Sequence, residues 1–279
     1  MAFTAYDIEQ PYGPLIDTTV RVATWNVWGR YGPWRERERV ILAELAAVAA
    51  DVLVLVEAWE DGDATQAGRL KGELGLPHHV FAGTGPDGGP RSGIAVLSRW
   101  PLAGRAERRL GDATGWDAGI ALFARAEGPR GAVQVFGTGL GWKPDHSLQR
   151  QEQVRDLGGF VRQVADTRSP VVLCGDFNAP PDSDEIRMLT GRAAVAAPGL
   201  VFYDAWETAG DGTPGHTWSA TNPWTRPVLL PDRRIDYVFS AWPRAGGAGH
   251  PVRCELFGTE PLDRIHGSDH YGVLTDLRY

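Results

Sequence analysis

The chain of 279 residues is 43% hydrophobic and carries a formal net charge of −7. That is enough apolar content for a sizeable core, which excludes a disordered chain, and there is no overall positive field to attract a polyanion, which argues against a dedicated nucleic-acid binder. The two cysteines, Cys174 and Cys254, lie far apart and form neither a disulfide framework nor a CxxC pair; Cys174, inside VVLCGD, reads as a small core residue.

The first residues, MAFTAYDIEQPYGP, lack the basic-then-apolar order of a signal peptide, and no later apolar run approaches membrane-span length. The expectation is a soluble, cytoplasmic protein. Alternation in VRVATWNVW (20–28) predicts a strand with Val20, Val22, Thr24 and Asn26 on one face. From Pro33, suited to a helix start, Val40, Ile41, Leu45, Val48 and Ala49 fall at helical spacing behind RERER (35–39), a self-neutralising run read as a solvated helix face. DVLVLVE (51–57) is a continuous apolar run, as for a strand covered on both sides, and a second helix is predicted over 64–74, ended by Gly75. Vicinal His78 and His79 read as an ordinary strand start.

Strands are predicted over 92–98, 119–126 and 131–137, without room for helices between them. A long amphipathic helix then starts at Ser147, read as its N-cap, with Val154, Leu157, Val161 and Val164 inward. PVVLCGD (170–176) is another buried strand, DSDEIRMLT a short helix with acids in its first turn, and LVFYDAW, RIDYVFS, VRCELF and GVLTDLRY are strand-like. Helix-linked strands mixed with directly succeeding ones imply mixed sheets. With no repeat or long linker, residues 1–279 read as one domain.

Polar residues stand where apolar strands stop. The first ends at Asn26, the next at Glu57, a third at Asp176 and Asn178; Asp236 opens a late strand, and Asp269-His270 precede the last. One Asp or Asn at a strand end is usually a turn residue. Several carboxylates gathered at a core rim would repel unless a cation neutralised them, and oxygen donors with one His and no Cys suit Mg²⁺ or Mn²⁺ better than Zn²⁺.

TWNVW (24–28), Glu57 after its apolar strand, SGIAVLSR (92–99), GDFN (175–178), RIDYVF (234–239) and SDH (268–270) together resemble the endonuclease/exonuclease/phosphatase superfamily of metal-dependent phosphoesterases, in family order and over almost the whole chain. The resemblance implies a DNase I-like α/β fold, a four-layer sandwich of two mixed β-sheets packed face to face with helices outside. It implies hydrolysis of a phosphodiester or phosphomonoester with Mg²⁺ or Mn²⁺. Glu57 would be the main metal ligand, helped by Asn26, with Asp269 a further carboxylate near the metal. Asp176 would orient or deprotonate the attacking water, Asn178 hold a phosphoryl oxygen, and His270 contact the scissile phosphate with its tautomer fixed by Asp236.

One family element is missing. The strand over 131–137 leads in many members to Thr-His-Leu, whose histidine assists the leaving group; here the triplet is Thr138-Gly139-Leu140. Three readings stay open: Lys143, His146 or a water supplies the proton; the leaving group needs none; or the metal acts as a Lewis acid in a non-hydrolytic lyase or cyclase reaction. His146, His216 and His266 otherwise read as loop or structural residues. Of 11 tryptophans, Trp28, Trp59 and Trp142 adjoin the motifs, while Trp116 and Trp224 lie in loops able to reach the same rim. They favour an apolar or aromatic small molecule or a lipid-like ester, with nucleic acid disfavoured by the acidic balance and the lack of a basic cluster.

Overall fold

The computed structural model describes residues 9–86, 88–112, 118–166 and 168–279, so Trp116 lies outside the described residues. In chain order the elements are β1 (Thr19–Asn26), α1 (Trp34–Val48), β2 (Val52–Asp61), β3 (Ala64–Thr65), α2 (Gln66–Leu70), β4 (His78–Thr84), β5 (Arg91–Ser98), β6 (Leu102–Leu110), β7 (Gly119–Gly128) and β8 (Gly131–Gly139). There follow α3 (Ser147–Val164), β9 (Val171–Asp176), α4 (Asp184–Leu189), β10 (Phe202–Asp204), α5 (Ala205–Ala209), β11 (Asp236–Ala241), β12 (Pro251–Phe257) and β13 (Gly272–Arg278).

The strands form two sheets, one ordered β12-β13-β1-β2-β5-β4 with β3 beside β2, the other β10-β11-β9-β8-β7-β6. Parallel pairs β1–β2 and β8–β9 stand among antiparallel neighbours, so both sheets are mixed. The three hydrophobic clusters account for the layering. Val20, Val22, Val54, Val56, Ile94, Val135, Val172 and Cys174 fill the space between the sheets. The alternate residues of the same strands face outward: Leu53, Leu55 and Trp25 pack with Ile41 and Leu45 of α1, while Phe136 and Leu173 pack with Val154, Leu157 and Val161 of α3. A strand clad on both faces has no place for alternation, hence the unbroken apolar runs of β2 and β9. The four layers expected from the motifs are present.

Four local expectations are corrected. Strand β6 carries exposed Arg105, Glu107 and Arg109 and ends its sheet; an edge strand with a solvated face leaves no apolar signature. Helix α2 is only five residues long, and Gly72 and Gly75 lie in the turns after it. Ser147 is the first residue of α3 rather than its cap; His146 takes that place, and the Ser147 hydroxyl donates to Glu185 at 2.7 Å. RERER is not a uniformly solvated face, because Arg37 is fully buried. Among the described residues no helix is long and apolar enough to cross a membrane.

Candidate active site

The register of the second sheet brings three positions side by side: Gly139 of β8 pairs with Asp176 of β9, which pairs with Asp236 of β11. Close approach of β8 and β9 depends on Gly175 (φ +140°), where a β-carbon would lie 1.9 Å from the Thr138 carbonyl oxygen. Beyond it the chain turns through Asn178, at φ +51°, whose backbone N–H donates to Asp176 Oδ1 at 2.8 Å. From the first sheet comes Glu57, at φ +55° where the β2–β5 register slips between Leu55 and Ala58. A bulge with a non-glycine residue in the left-handed region costs on the order of 1–3 kcal/mol and re-aims the side chain it carries.

Asn26 links the two sheets. Its Nδ2 donates to Glu57 Oε1 and to Asp176 Oδ2, both at 3.0 Å, and its Oδ1 accepts the Trp28 backbone N–H at 3.0 Å. That backbone donor fixes which end of the amide faces which way. Asn26 therefore ties the carboxylates together and turns its oxygen away from them. His270 Nδ1 bonds Asp236 Oδ2 at 2.8 Å, and its Nε2 lies 3.9 Å from Asp176 Oδ2. Ser268, buried, donates its hydroxyl proton to the Asn26 carbonyl at 2.6 Å, and the same oxygen lies 3.2 Å from Asp269 Oδ1, which sets the last carboxylate against β1.

Four carboxylates thus share one half-desolvated space. Burial raises Glu57 above its ordinary value, against the opposing pull of Asn26 and His270. Burial, with the neighbouring Asp236, pushes Asp176 up to about 6; burial also pushes Asp269 up to about 6, His270 working against it. Burial alone would lower His270, but Asp236 and Asp176 outweigh it and hold the imidazole well above its usual value. Asp236 Oδ1 is buried with no hydrogen-bond partner among the described residues. Raised acids and an orphaned oxygen are what a donor set built for a hard cation shows when its charge is uncompensated. Asp176, Asp236 and His270 bring ligand atoms within 4.8 Å of one another. One Asp236 oxygen and Nδ1 are spent on each other, however, which suits an oriented imidazole.

The aromatic residues are divided. Trp28, half-buried at φ +53°, packs on Trp224 at 5.7 Å and Tyr31 at 6.0 Å between ring centroids, an aromatic wall beside Asn26. Trp142 is 52% exposed on the loop after β8, which buried Arg150 holds by donating to the carbonyls of Gly141 and Lys143. Trp59 is 4% exposed, its ring covered by the Arg30 guanidinium at 4.0 Å and by Trp34, so it presents no free face. Gly139 is half-buried at the rim, facing Val56 and Ile94.

Three residues at the site were not singled out from sequence. Trp218 stacks near His270, 5.7 Å between ring centroids; Thr217 accepts the backbone N–H groups of Ile235 and Asp236; and Arg233 lies over Trp218. The signal was the GHTW segment (215–218), where His216 drew attention and its neighbours did not. Arg37 is the fourth: its guanidinium donates to the carbonyls of Val27, Trp28, Gly29, Tyr31 and Gly267, beneath both loops that carry site residues.

A two-sheet sandwich with carboxylates, an amide and an oriented imidazole at its strand ends defines a DNase I-like protein of the metal-dependent phosphoesterase superfamily. The sequence profile of the Endonuclease/Exonuclease/phosphatase family matches residues 23–270, and the chain belongs to that family. Similar solved structures include an endonuclease/exonuclease/phosphatase from Beutenbergia cavernae, 28% identical, covering 94% of this chain and 72% of that one with a TM-score of 0.68. TDP2 from C. elegans is 17% identical over 95% of this chain and 76% of its own, TM-score 0.73. D. rerio TDP2 complexed with single strand DNA product is 21% identical over 94% of this chain and 100% of its own, TM-score 0.73. No curated protein matches the chain.

Proposed function

We propose that the protein is a Mg²⁺- or Mn²⁺-dependent phosphoesterase. The reading rests above all on the Asp236–His270 pair, 2.8 Å long and buried, aimed beside a carboxylate cluster too crowded to stay uncompensated. Glu57 and Asp269 would hold the cation, with Asn26 fixing Glu57 in place. The cation, when bound, supplies neutralisation of charge on the phosphoryl oxygens.

The chain's own groups carry the remaining steps. Asp176 is held in place by Asn26 and by the Asn178 backbone N–H, and burial beside Asp236 raises its pKa, which makes its carboxylate a better base for the proton of the attacking water. Asn178 spends one amide N–H on the Leu140 carbonyl at 3.1 Å and keeps a second for a phosphoryl oxygen. Asp236 accepts from Nδ1 of His270 and, with Asp176, favours the charged imidazolium, in which Nε2 also carries a proton and presents a donor that stabilises the charge developing on the phosphate. Family membership favours hydrolysis over the lyase or cyclase alternative.

For the substrate, the wall of Trp28, Trp224 and Tyr31 supports a small organic or lipid-like phosphoester with an apolar or aromatic part. A single-stranded nucleic acid end is the second candidate, because D. rerio TDP2 was solved with a single strand DNA product.

Hydrolysis of an aryl phosphodiester, with Mg²⁺ or Mn²⁺ and with chelator, tests the reaction. Metal-dependent turnover is expected, falling by roughly 10²–10⁴-fold in His270→Ala; turnover indifferent to chelator or to that substitution would sink the proposal. Competition by a single-stranded oligonucleotide and by a lysophospholipid separates the two substrate classes.

A further inference from the structure

A cleft of about 620 Å³ is lined among others by Pro181, Trp206, His216, Asp232 and Arg233. Most of its charges are matched. Arg192 pairs with Glu207 at 2.7 Å, Arg234 with the buried Asp204, and His216 lies 3.9 Å from Asp232. Arg233 differs: its side chain makes no hydrogen bond or ion pair to any described residue, and its Nε is buried without a partner.

The side chain is nonetheless placed. Backbone bonds between Arg233 and Trp218, at 2.8 and 2.9 Å in the two directions, fix its base. The guanidinium lies 4.7 Å from the Trp218 ring centroid, and that ring is 5.7 Å from the imidazole of His270. Stacking on tryptophan holds the cation in place but gives its N–H groups no acceptor, so the buried Nε remains unmatched. Burial lowers the Arg233 pKa while Asp176 and Asp236 oppose the shift, which places the cation within the field of the catalytic carboxylates. An oriented, half-desolvated guanidinium with its fork unspent matches a phosphate.

We propose that Arg233, with the cleft beside it, forms a subsite for a second phosphate carried by the substrate next to the ester that is hydrolysed. This rests on the phosphoesterase reading above.

The test compares thymidine 3′,5′-bisphosphate with thymidine 5′-monophosphate by calorimetry in the presence of Ca²⁺. The wild type is expected to bind the bisphosphate about tenfold more tightly, the worth of one charged contact of about 1.4 kcal/mol. Arg233→Gln should lose that preference and Arg233→Lys keep part of it. A preference that is absent from the wild type, or that survives in a folded Arg233→Gln protein, overturns the subsite. Turnover of the p-nitrophenyl ester of thymidine 5′-phosphate, measured in parallel with Mg²⁺, keeps the two readings apart. Without turnover but with an Arg233-dependent preference, the hydrolase reading fails, and with it the place beside a hydrolysed ester, while Arg233 stands as a phosphate site.

Discussion

A β-carbon at position 139 would lie 3.3 Å from Val56 Cγ1 and 3.7 Å from Ile94 Cδ1, with nothing of the backbone in its way. The site is tight, but the crowding atom is the end of a side chain. Gly139 pairs with Asp176 across parallel strands, and paired residues project to the same face. An imidazole there would stand beside the Asp176 carboxylate, where the phosphoesterase reading proposed above would give it proton donation to the leaving group. Gly139→His is therefore expected to fold, to lose roughly 1–2 kcal/mol from crowding against Val56, and to raise hydrolysis of an alkyl phosphodiester by about 10²-fold. The rate comparison should use a poor leaving group, where proton donation matters most. A folded variant with an unchanged rate would mean that another group already assists the leaving group.

Helix α1 does more than cover the first sheet. Its Arg37 reaches back under the segment after β1 and the segment before His270, and five carbonyls receive its donors. Burial lowers its pKa to about 10, with Asp269 and Glu57 pulling the other way, so it is still charged at neutral pH. Among the described residues no carboxylate bonds to it; the two loops are held by hydrogen bonds to their backbones. Arg37→Met should cost about 3–5 kcal/mol in urea unfolding, since it orphans several buried carbonyls. Arg37→Lys should restore only part, because an ammonium has no planar fork. Loss below about 1 kcal/mol in both would remove this role. Arg37 also marks a limit of what the sequence discloses. Glu57 and Asp176 were legible because each stands where an apolar strand stops, and Asp236 and His270 because RIDYVF and SDH, which resemble family motifs, set them at or just before the start of late strands. The burial of Arg37 answers a demand made by residues 27–31 and 267, which helical periodicity does not register. The orientation of Asn26 likewise depends on one backbone N–H, and β6 on having a neighbour to pair with.

At the scale of the molecule, the two sheets bring to one rim carboxylates from strands that are distant in sequence, and the core between the sheets is made of valines, alanines and other apolar groups. The fold therefore carries a charge load at that rim. Asp176 and Asp269 have folded values of about 6 against an ordinary 3.8, which means the folded state holds their protons more tightly than the unfolded chain. The sign follows from linkage: their contribution is favourable below about pH 3.8 and is lost as pH rises through about 6, leaving the carboxylates ionised, buried and mutually repelling. His270, also raised, keeps its stabilising charge through neutral pH and loses it only at higher pH. A divalent cation relieves the repulsion where the carboxylates are ionised and must displace protons where they are not. Mg²⁺ or Mn²⁺ should accordingly raise Tm clearly at pH 7.5 and by much less at pH 5, with chelator abolishing the difference. Glu57→Gln should flatten this pH dependence, because it removes a ligand charge while leaving the amide-to-carboxylate geometry nearly the same size. A cation effect on Tm that is equal at both pH values would mean that the ion binds away from this rim. In that case the raised carboxylates would have to be balanced by some other positive group, for which His270 and Arg37 are the nearest candidates.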